Sequence, residues 1–316
     1  MTSVHSTRSR VLRRLPAIGL LAVALSVALP AFAATPINQS RPLDPLGSVE
    51  IDNVKGLIQV RVWDRPEVKI EGSLGEGVEK LEIDGDRQQL SIKVRYPNRG
   101  GGIGLLAGGD KSESSELRVT VPLRAALDID AVSADVDVNG VASRELKIDS
   151  VSGDVVVAGA PREAEVESVS GDLRLTLNSS KVSAQTVSGD LDLRGRLSGE
   201  VSLETVSGRV DMSALQSRLS KISGNSVSGD LRVEAALADG GEISLETVSG
   251  DVRLSLPSNL SATVRGQSFS GDLRAPDVQV QRPKHGPGSS FEHRYGSGNG
   301  KIKIETFSGD ATLQLE

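Results

Sequence analysis

The chain of 316 residues contains no cysteine, which excludes disulfide bonds, thiol catalysis and a lipid-modified N-terminal cysteine. Histidine is scarce, and only His285 and His293 lie beyond residue 33. These two would need Glu292 to complete a metal site, and histidines flanked by glycine are more often simply exposed. No serine lies in a Gly-x-Ser-x-Gly elbow between a strand and a helix pattern. We therefore predict that the protein is not an enzyme and has no catalytic residue, cofactor or metal.

Long hydrophobic runs are limited to one, at the N-terminus. Four arginines within the first 14 residues precede the apolar stretch from Leu15 to Leu29, and Ala31-Phe32-Ala33 provides small residues at a cleavage position. This order is typical of a secretory signal peptide, and the stretch falls short of the ~20 residues that span a membrane. We predict a signal peptide over residues 1–33, no later transmembrane segment, and export to the periplasm, the cell surface or the exterior.

Positive charge is in deficit beyond that segment. The whole chain has 36 basic and 42 acidic residues, and the first 33 residues hold four of the basic and none of the acidic ones. The remainder therefore has 32 basic and 42 acidic residues, a net charge of −10. Since no basic stripe is present either, nucleic acid is not an expected partner.

One short motif, in contrast, is abundant. Val-Ser-Gly-Asp occurs five times and Phe-Ser-Gly-Asp twice, with one Val-Ser-Ala-Asp and one Val-Ser-Gly-Arg variant; they begin at Val132, Val151, Val169, Val187, Val206, Val227, Val248, Phe269 and Phe307. Successive motifs are 18 to 21 residues apart, except for a last step of 38. A period of this length over more than half of the chain is the signature of a repeat architecture.

Apolar residues alternate on both sides of each motif, but their parity changes within it. Leu146 and Ile148 share the parity of Ser150, whereas Val155 shares that of Val151. Because side chains alternate across a strand, both sets face one core only if the chain turns a corner between Ser150 and Val151. This interpretation places Val151 and its equivalents in the core, and the motif glycine would supply the backbone freedom that a corner requires.

Two all-β folds satisfy this pattern. A parallel β-solenoid with coils of 18–21 residues stacks equivalent positions about 4.8 Å apart, which explains why identical residues recur at the corner. An antiparallel β-sandwich, with the motif as a hairpin loop, is the alternative. We favour a single solenoid domain over residues 47–316, after an extended lead-in at residues 34–46. Irregular coils would occupy residues 47–121, with Val54 and Gly56 in a cryptic first repeat, and regular repeats residues 122–316.

Two polar columns follow from stacking. The motif aspartates would lie one above another, and their repulsion requires pairing, for which an arginine such as Arg174 lies two residues later. Asp after Gly also commonly bonds turn amides, and calcium is disfavoured because the dense nine-residue glycine pattern of calcium β-rolls is absent. A second column precedes the corner, and in it acids and amides interchange, which predicts a solvated face rather than a catalytic group: Asp149, Glu167, Gln185, Glu204, Asn225, Glu246, Gln267 and Glu305.

The step of 38 residues adds an insertion at residues 275–300. We expect it to be a specialised surface loop that provides binding specificity, so that its deletion would leave the fold intact. Phe269 and Phe307 take the first motif position, which we expect to be buried, so few of the six aromatic residues beyond the signal peptide would remain to stack on sugar rings.

The order of these features resembles a known family. The chain begins with a signal-peptide pattern and continues with Gly56-x-Ile58-x-Val60-x-x-Trp63-Asp64 before Val68-x-Ile70. Tandem Val-Ser-Gly-Asp repeats follow and end in Gly298-Asn299-Gly300-Lys301-Ile302-Lys303-Ile304-Glu305-Thr306-Phe307-Ser308-Gly309-Asp310. This order is similar to the bacterial putative-adhesin domain family of unknown function, of which the LiaG-like envelope proteins are relatives. The resemblance covers roughly residues 47–315. It implies a single-stranded right-handed β-helix and a place in the envelope or outside the cell, without an established reaction or catalytic residues to carry over.

These observations predict a secreted, non-enzymatic scaffold or adhesin-like protein that displays polar columns to an envelope or surface component, either protein or polysaccharide. Two alternatives stay open. A carbohydrate-active β-helix would bind or cleave polysaccharide, and a self-assembling envelope filament would form through the terminal coils.

Overall fold

The fold follows from alternating apolar residues throughout the part of the chain that a computed structural model describes, namely Thr2 and residues 35–97, 112–284 and 287–316. These residues contain strands and turns but no helix, and thus none that is long and apolar enough to cross a membrane. The predicted signal peptide lies outside the described residues, apart from Thr2, as does His285. Residues 34–316 form one unit.

Twenty-two strands lie in the described part of this unit. They are β1 (Thr35–Pro42), β2 (Ser48–Trp63), β3 (Glu67–Leu74), β4 (Lys80–Gly85), β5 (Gln89–Arg95), β6 (Ser115–Pro122), β7 (Ala126–Asn139), β8 (Glu145–Ser150), β9 (Val155–Gly159), β10 (Glu163–Ser168), β11 (Leu173–Leu177), β12 (Lys181–Thr186), β13 (Leu191–Gly195), β14 (Gly199–Thr205), β15 (Val210–Ser226), β16 (Leu231–Thr247), β17 (Val252–Leu256), β18 (Ala262–Ser268), β19 (Leu273–Arg274), β20 (Ser289–Tyr295), β21 (Gly300–Thr306) and β22 (Ala311–Leu315).

In most repeats one strand precedes the motif and another follows it, whereas β7 runs through its motif and β15 and β16 each extend from one motif to the next. The equivalent segments of neighbouring repeats pair in parallel. β10 pairs with β8 and β12, with Val166 opposite Ile148 and Ala184. β11 pairs with β9 and β13, with Leu175 opposite Val157 and Leu193. This parallel register defines a solenoid-like stack of coils, and it does not fit the antiparallel sandwich alternative.

The first repeat has the register that the sequence predicts. β2 pairs in parallel with β7 along most of its length, and Gly56 lies opposite Ala134 of the first recognisable motif. Lys55 is likewise opposite Ser133. Residues 48–63 therefore form a coil of the stack although they lack the Ser-Gly-Asp signature.

The core is a set of aliphatic columns between the two rows of strands. Inward residues such as Leu146, Ile148, Val155 and Val157 are at most 1% exposed, and the equivalent residues of the other coils are buried in the same way. Burial of an aliphatic side chain contributes about 1.5–3 kcal/mol, so these columns provide the main cohesive force between the two rows.

The last coil is stacked out of chain order. β21 lies between β16 and β18, with Ile304 opposite Leu245 on one side and Gly266 on the other. β22 likewise lies between β17 and β19, and Ala311 is opposite both Val252 and Leu273. The C-terminal strands therefore insert between two coils that precede them in the sequence, which a simple succession of repeats does not predict.

Antiparallel strands flank the stack at both ends. At one end β1 pairs with β3 and β3 with β6, while β4 pairs with β5. At the other end β20 pairs antiparallel with β18. The segment expected to be an extended lead-in thus contains a strand of the sheet, in which Ile37 is 7% exposed.

The insertion also differs from the expected surface loop. Its strand β20 covers β18, and Phe291 is only 6% exposed. The ring fills the space above Gly266, where a Cβ atom would lie 2.2 Å from a ring carbon. Tyr295 donates a hydrogen bond of 2.5 Å to the carbonyl oxygen of Pro276. These contacts make part of the insertion a cap on the terminal coil, so we now predict that its deletion would destabilise the fold rather than leave it intact.

Candidate functional site

The corner of each coil turns its valine outward, contrary to the sequence interpretation. In the repeat around Val151, Ser150 and Gly153 are buried, whereas Val151 and Ser152 between them are exposed. The parity change therefore uses two successive outward residues, so the valine belongs to neither core-facing set. Phe269 and Phe307, which we expected to be buried, are 48% and 54% exposed.

The outward residues form one continuous column along the stack. We name it the valine column; in spatial order it contains Val54, Val132, Val151, Val169, Val187, Val206, Val227, Val248, Phe307 and Phe269, each between 37% and 54% exposed. Phe307 precedes Phe269 because the last coil is intercalated, and their rings stack with centroids 4.6 Å apart and an angle of 6° between their planes. Exposed apolar groups aligned in this way are typical of a binding surface rather than of scattered surface residues.

The polar column predicted from the sequence runs beside it. Residues two positions before each outward residue are paired in register through the whole stack: Asp52, Asp130, Asp149, Glu167, Gln185, Glu204, Asn225, Glu246, Glu305 and Gln267. We name it the acid–amide column. At about 4.8 Å per coil, its ten members extend over roughly 43 Å.

The two columns border a groove that follows the stack, which we name the corner groove. Its floor consists of buried hydroxyl residues such as Ser150, Ser168 and Thr186, each about 5% exposed. These hydroxyls are held within the corner, since Gly171 N donates to Ser168 Oγ at 3.0 Å and Gly189 N to Thr186 Oγ1 at 3.1 Å. Apart from Thr205, whose hydroxyl has no partner among the described residues, the floor hydroxyls are therefore engaged within the protein, and the walls remain open to a ligand.

Ion pairs neutralise the first end of the groove. Lys93 contacts Glu50 at 2.5 Å and Asp52 at 3.0 Å, and the bond from Lys93 holds the pKa of Glu50 below its ordinary value. Burial raises the pKa of Asp130, with a further contribution from Asp52 beside it. Oxygen atoms of Glu50, Asp52 and Asp130 lie within 4.8 Å of one another, but the ammonium group of Lys93 already pairs with two of the three, Glu50 and Asp52.

The middle of the groove has a different electrostatic character. Glu167 and Glu204 line it, with Gln185 between them, and among the described residues neither carboxylate forms an ion pair. In the part of the chain that the structure describes, no lysine or arginine lines the groove from Glu167 to Asn225. This section therefore presents uncompensated negative charge beside an apolar column.

The far end of the groove is bounded by the cap. Pro283, Gly288 and Ser289 of the insertion line it together with Phe269 and Phe307. Glu246 accepts a bond of 2.9 Å from Lys303, which lowers the pKa of that carboxyl. The insertion thus contributes to the groove as an end wall.

The motif aspartates have a structural role, as the sequence predicts. Asp154 Oδ1 accepts the backbone N–H of Asp172 in the next coil at 3.1 Å, and Asp172 Oδ1 accepts that of Asp190 at 3.0 Å. Arg174 pairs with Asp172 at 2.9 Å and with Asp154 at 3.4 Å. Each carboxylate therefore links two coils, and arginine reduces the repulsion along the column.

Arg209 interrupts this column and alters its own corner. Its N–H donates to Asp190 at 2.8 Å and its guanidinium binds Asp190 and Asp211, which lowers the pKa of Asp190. Gly208 here has a φ of +147°, and the buried Thr205 hydroxyl has no hydrogen-bond partner among the described residues. The variant motif thus gives a different local geometry within the same stack.

The remaining histidine candidate does not assemble a metal site in the described part of the chain. The ring of His293 packs edge-on against Tyr295, with centroids 4.6 Å apart. Glu292 pairs with Arg265 at 3.1 Å. The carboxylate that would have joined the histidines is therefore engaged by a cation.

Stacked parallel coils with a groove along one corner define an all-β, solenoid-like protein. Residues 49–314 match the Toastrack DUF4097 family, so the chain belongs to this family, whose function is unknown. No curated protein shows significant similarity to the chain.

Solved structures provide further likenesses. A putative adhesin from Bacteroides fragilis shares 10% identity over 90% of this chain and 98% of its own, with a TM-score of 0.39. A putative adhesin from Parabacteroides merdae shares 11% identity over 89% and 97%, with a TM-score of 0.42. A putative lipid binding protein from Parabacteroides distasonis shares 12% identity over 88% and 96%, with a TM-score of 0.46. These values do not bear on what the present chain binds.

Proposed function

We propose that this chain is an exported, non-enzymatic interaction protein of the cell envelope, and that it binds an elongated envelope or surface component along the corner groove. The observation that carries the proposal is the valine column, an aligned set of ten apolar side chains that the fold exposes beside a polar wall. We further propose that its coils are those of a single-stranded right-handed β-helix, a rigid support for such a surface.

The groove favours display over catalysis. Acids and amides replace one another along the acid–amide column, whereas a general acid or base requires one particular ionisable group in a fixed setting. Because the stack repeats the same surface from coil to coil, a long ligand can make the same contact many times. We propose that affinity comes from many equivalent contacts along the stack, and that the capped ends limit the length of the binding site.

The test replaces two central valines, Val187→Ser and Val206→Ser, and measures retention of the purified protein by an envelope fraction of the source organism. Both residues are 46% exposed, so the change should not disturb the core. Loss of apolar contact at two half-exposed valines is worth about 1 kcal/mol each, which predicts roughly 30-fold weaker retention.

Val156→Ser is the matched control, since Val156 is 41% exposed but lies on the strand after the corner, outside the groove. We expect it to be retained like the parent protein. If the groove variant and the control are retained equally, binding does not use the valine column and the proposed site is refuted.

A polysaccharide ligand is a second candidate, favoured by the exposed Phe307–Phe269 pair at the end of the groove. The two rings stack with centroids 4.6 Å apart, so one face of each ring is covered by the other ring. Less ring surface is therefore open to a sugar than two separate aromatic rings would offer. Retention on insoluble polysaccharide that is lost in Phe307→Ser, but not in the valine variant, would favour this ligand.

Self-assembly is less favoured because the stack ends in antiparallel strands. The edge strand β4 carries Lys80, Glu82 and Asp84, and the terminal strand β19 has only two residues. Charged and short edges discourage pairing with another chain. Sedimentation at several concentrations would detect a filament if these edges nevertheless associated.

A further inference from the structure

We propose that the corner groove binds an extended basic polypeptide in the polyproline II conformation, with a lysine or arginine at every third position. This inference rests on the proposed function and specifies its ligand. The first argument is charge complementarity: Glu167 and Glu204 face the groove without a cationic partner among the described residues, beside exposed Val169, Val187 and Val206. A ligand that is both basic and apolar would neutralise these carboxylates and cover the exposed valines.

The second argument is spacing. Along the acid–amide column, carboxylates alternate with amides in the order Glu167, Gln185, Glu204, Asn225 and Glu246. Two coils of about 4.8 Å separate successive carboxylates, a distance of about 9.6 Å. A polyproline II helix has three residues per turn and rises about 3.1 Å per residue, so every third side chain points the same way at about 9.3 Å.

Other regular conformations do not match this spacing. In a β-strand, residues on the same face are about 6.7 Å apart, and the residue about 10 Å away points to the opposite side. In an α-helix, two turns advance about 10.8 Å, so the mismatch against the column is four times larger than for polyproline II. Between Glu167 and Glu204, the two carboxylates that lack a cationic partner among the described residues, a polyproline II ligand is only about 0.3 Å out of register, which flexible lysine side chains absorb.

The third argument concerns backbone hydrogen bonds. The amides at the corner are already used between coils, since Val187 N donates to Ser168 O at 3.2 Å and Ser188 N to Val169 O at 3.0 Å. The groove therefore cannot recruit a ligand as an additional β-strand. A polyproline II segment keeps its backbone solvated, and its proline rings would lie on the valine column.

The experiment measures fluorescence anisotropy of labelled (Pro-Pro-Lys)5 with the purified protein. We expect saturable binding that weakens with salt, no binding of (Pro-Pro-Glu)5, and about fivefold weaker binding of (Pro-Lys)5, whose five lysines are spaced by two residues. Glu167→Gln with Glu204→Gln should weaken binding of (Pro-Pro-Lys)5 about tenfold, since each exposed pair is worth up to about fivefold.

Glu163→Gln with Glu200→Gln is the matched control, because these exposed residues lie on the same two coils, four positions before the groove carboxylates, and do not line the groove. We expect it to bind like the parent. Absence of binding, equal effects of the two double variants, or equal affinity for both lysine spacings would overturn this inference. If the peptide fails while envelope retention still depends on Val187 and Val206, only this inference falls; if that retention is independent of the valines, the proposed function falls as well.

Discussion

Gly189→Ala should destabilise the fold, because this motif glycine lies where two successive coils approach each other closely. A Cβ atom at Gly189 would lie 2.1 Å from the carbonyl oxygen of Gly171 in the preceding coil. Since Cβ atoms essentially never approach another atom closer than 3.0 Å, the two corners must separate by at least about 0.9 Å. The glycine is thus required by the close approach of coils, rather than by the backbone freedom that the sequence interpretation assigned to it.

The cost can be worked from the bonds that this separation breaks. Three backbone N–H groups of this corner donate to the preceding one, from Val187 N to Ser168 O, from Ser188 N to Val169 O and from Asp190 N to Asp172 Oδ1, at 3.0 to 3.2 Å. At about 1 kcal/mol net for each bond, Gly189→Ala should lower the free energy of unfolding by about 3 kcal/mol. Urea unfolding followed by circular dichroism measures this difference.

Gly240→Ala is the control. Gly240 has a φ of +71°, and no heavy atom of the described residues lies within 4 Å of its Cβ position, so the replacement costs only the left-handed conformation, about 1–2 kcal/mol. Equal destabilisation by the two replacements, or a loss below about 1 kcal/mol for Gly189→Ala, would refute the steric argument.

Three other predictions concern the aspartate column, the half-buried Asp130 and the cap. Asp172→Ala removes the acceptor for Asp190 N and should cost about 1 kcal/mol in urea unfolding, whereas Asp172→Asn keeps an acceptor and should cost less. Burial raises the pKa of Asp130, so the charged carboxylate opposes folding once the pH exceeds that pKa. Asp130→Asn should therefore raise the free energy of unfolding at neutral pH and have no effect below the ordinary carboxyl pKa. An effect of the same size at every pH would contradict this. Phe291→Ala should cost about 3 kcal/mol through the cap, and a loss below 1 kcal/mol would mark the insertion as a dispensable loop.

The stacking of coils could be predicted because the same short sequence pattern recurs in every coil. Identical small residues recur at the corner since each contacts its own equivalent in the next coil, and alternating apolar residues mark the strands on both sides. The same reasoning placed Gly56 in a coil without a complete motif, in the register that the pairing with Ala134 shows.

The direction of the valine could not be predicted from parity alone. The inward-facing positions change from even to odd numbers between Ser150 and Val155, which requires one irregular step in the strand. This change does not distinguish a turn before Val151, which would bury the valine, from a corner made of Val151 and Ser152, which exposes both. Valine is also an ordinary core residue, so composition favoured the wrong choice. The groove was missed for this reason, although its acid–amide wall was recognised.

The order of the last coils could not be predicted either. Phe269 and Phe307 carry the same motif, so either could follow Val248 in the stack, and nothing local distinguishes them. The structure places Phe307 next, with its N–H bonded to Thr247 O at 3.1 Å. The one hint in the sequence is the long insertion between these two repeats, which gives the chain the length to place its last coil between two earlier ones.

The most direct test of the account is the accessibility of Val187. Because the chain has no cysteine, Val187→Cys and the core control Val182→Cys each carry a single thiol, and their reaction rates with a maleimide under native conditions can be compared. Val187 is 46% exposed and Val182 is 2% exposed, so we predict rapid labelling at position 187 and protection at position 182 until the protein unfolds. Equal protection at both positions would place the valine column in the core and contradict the groove.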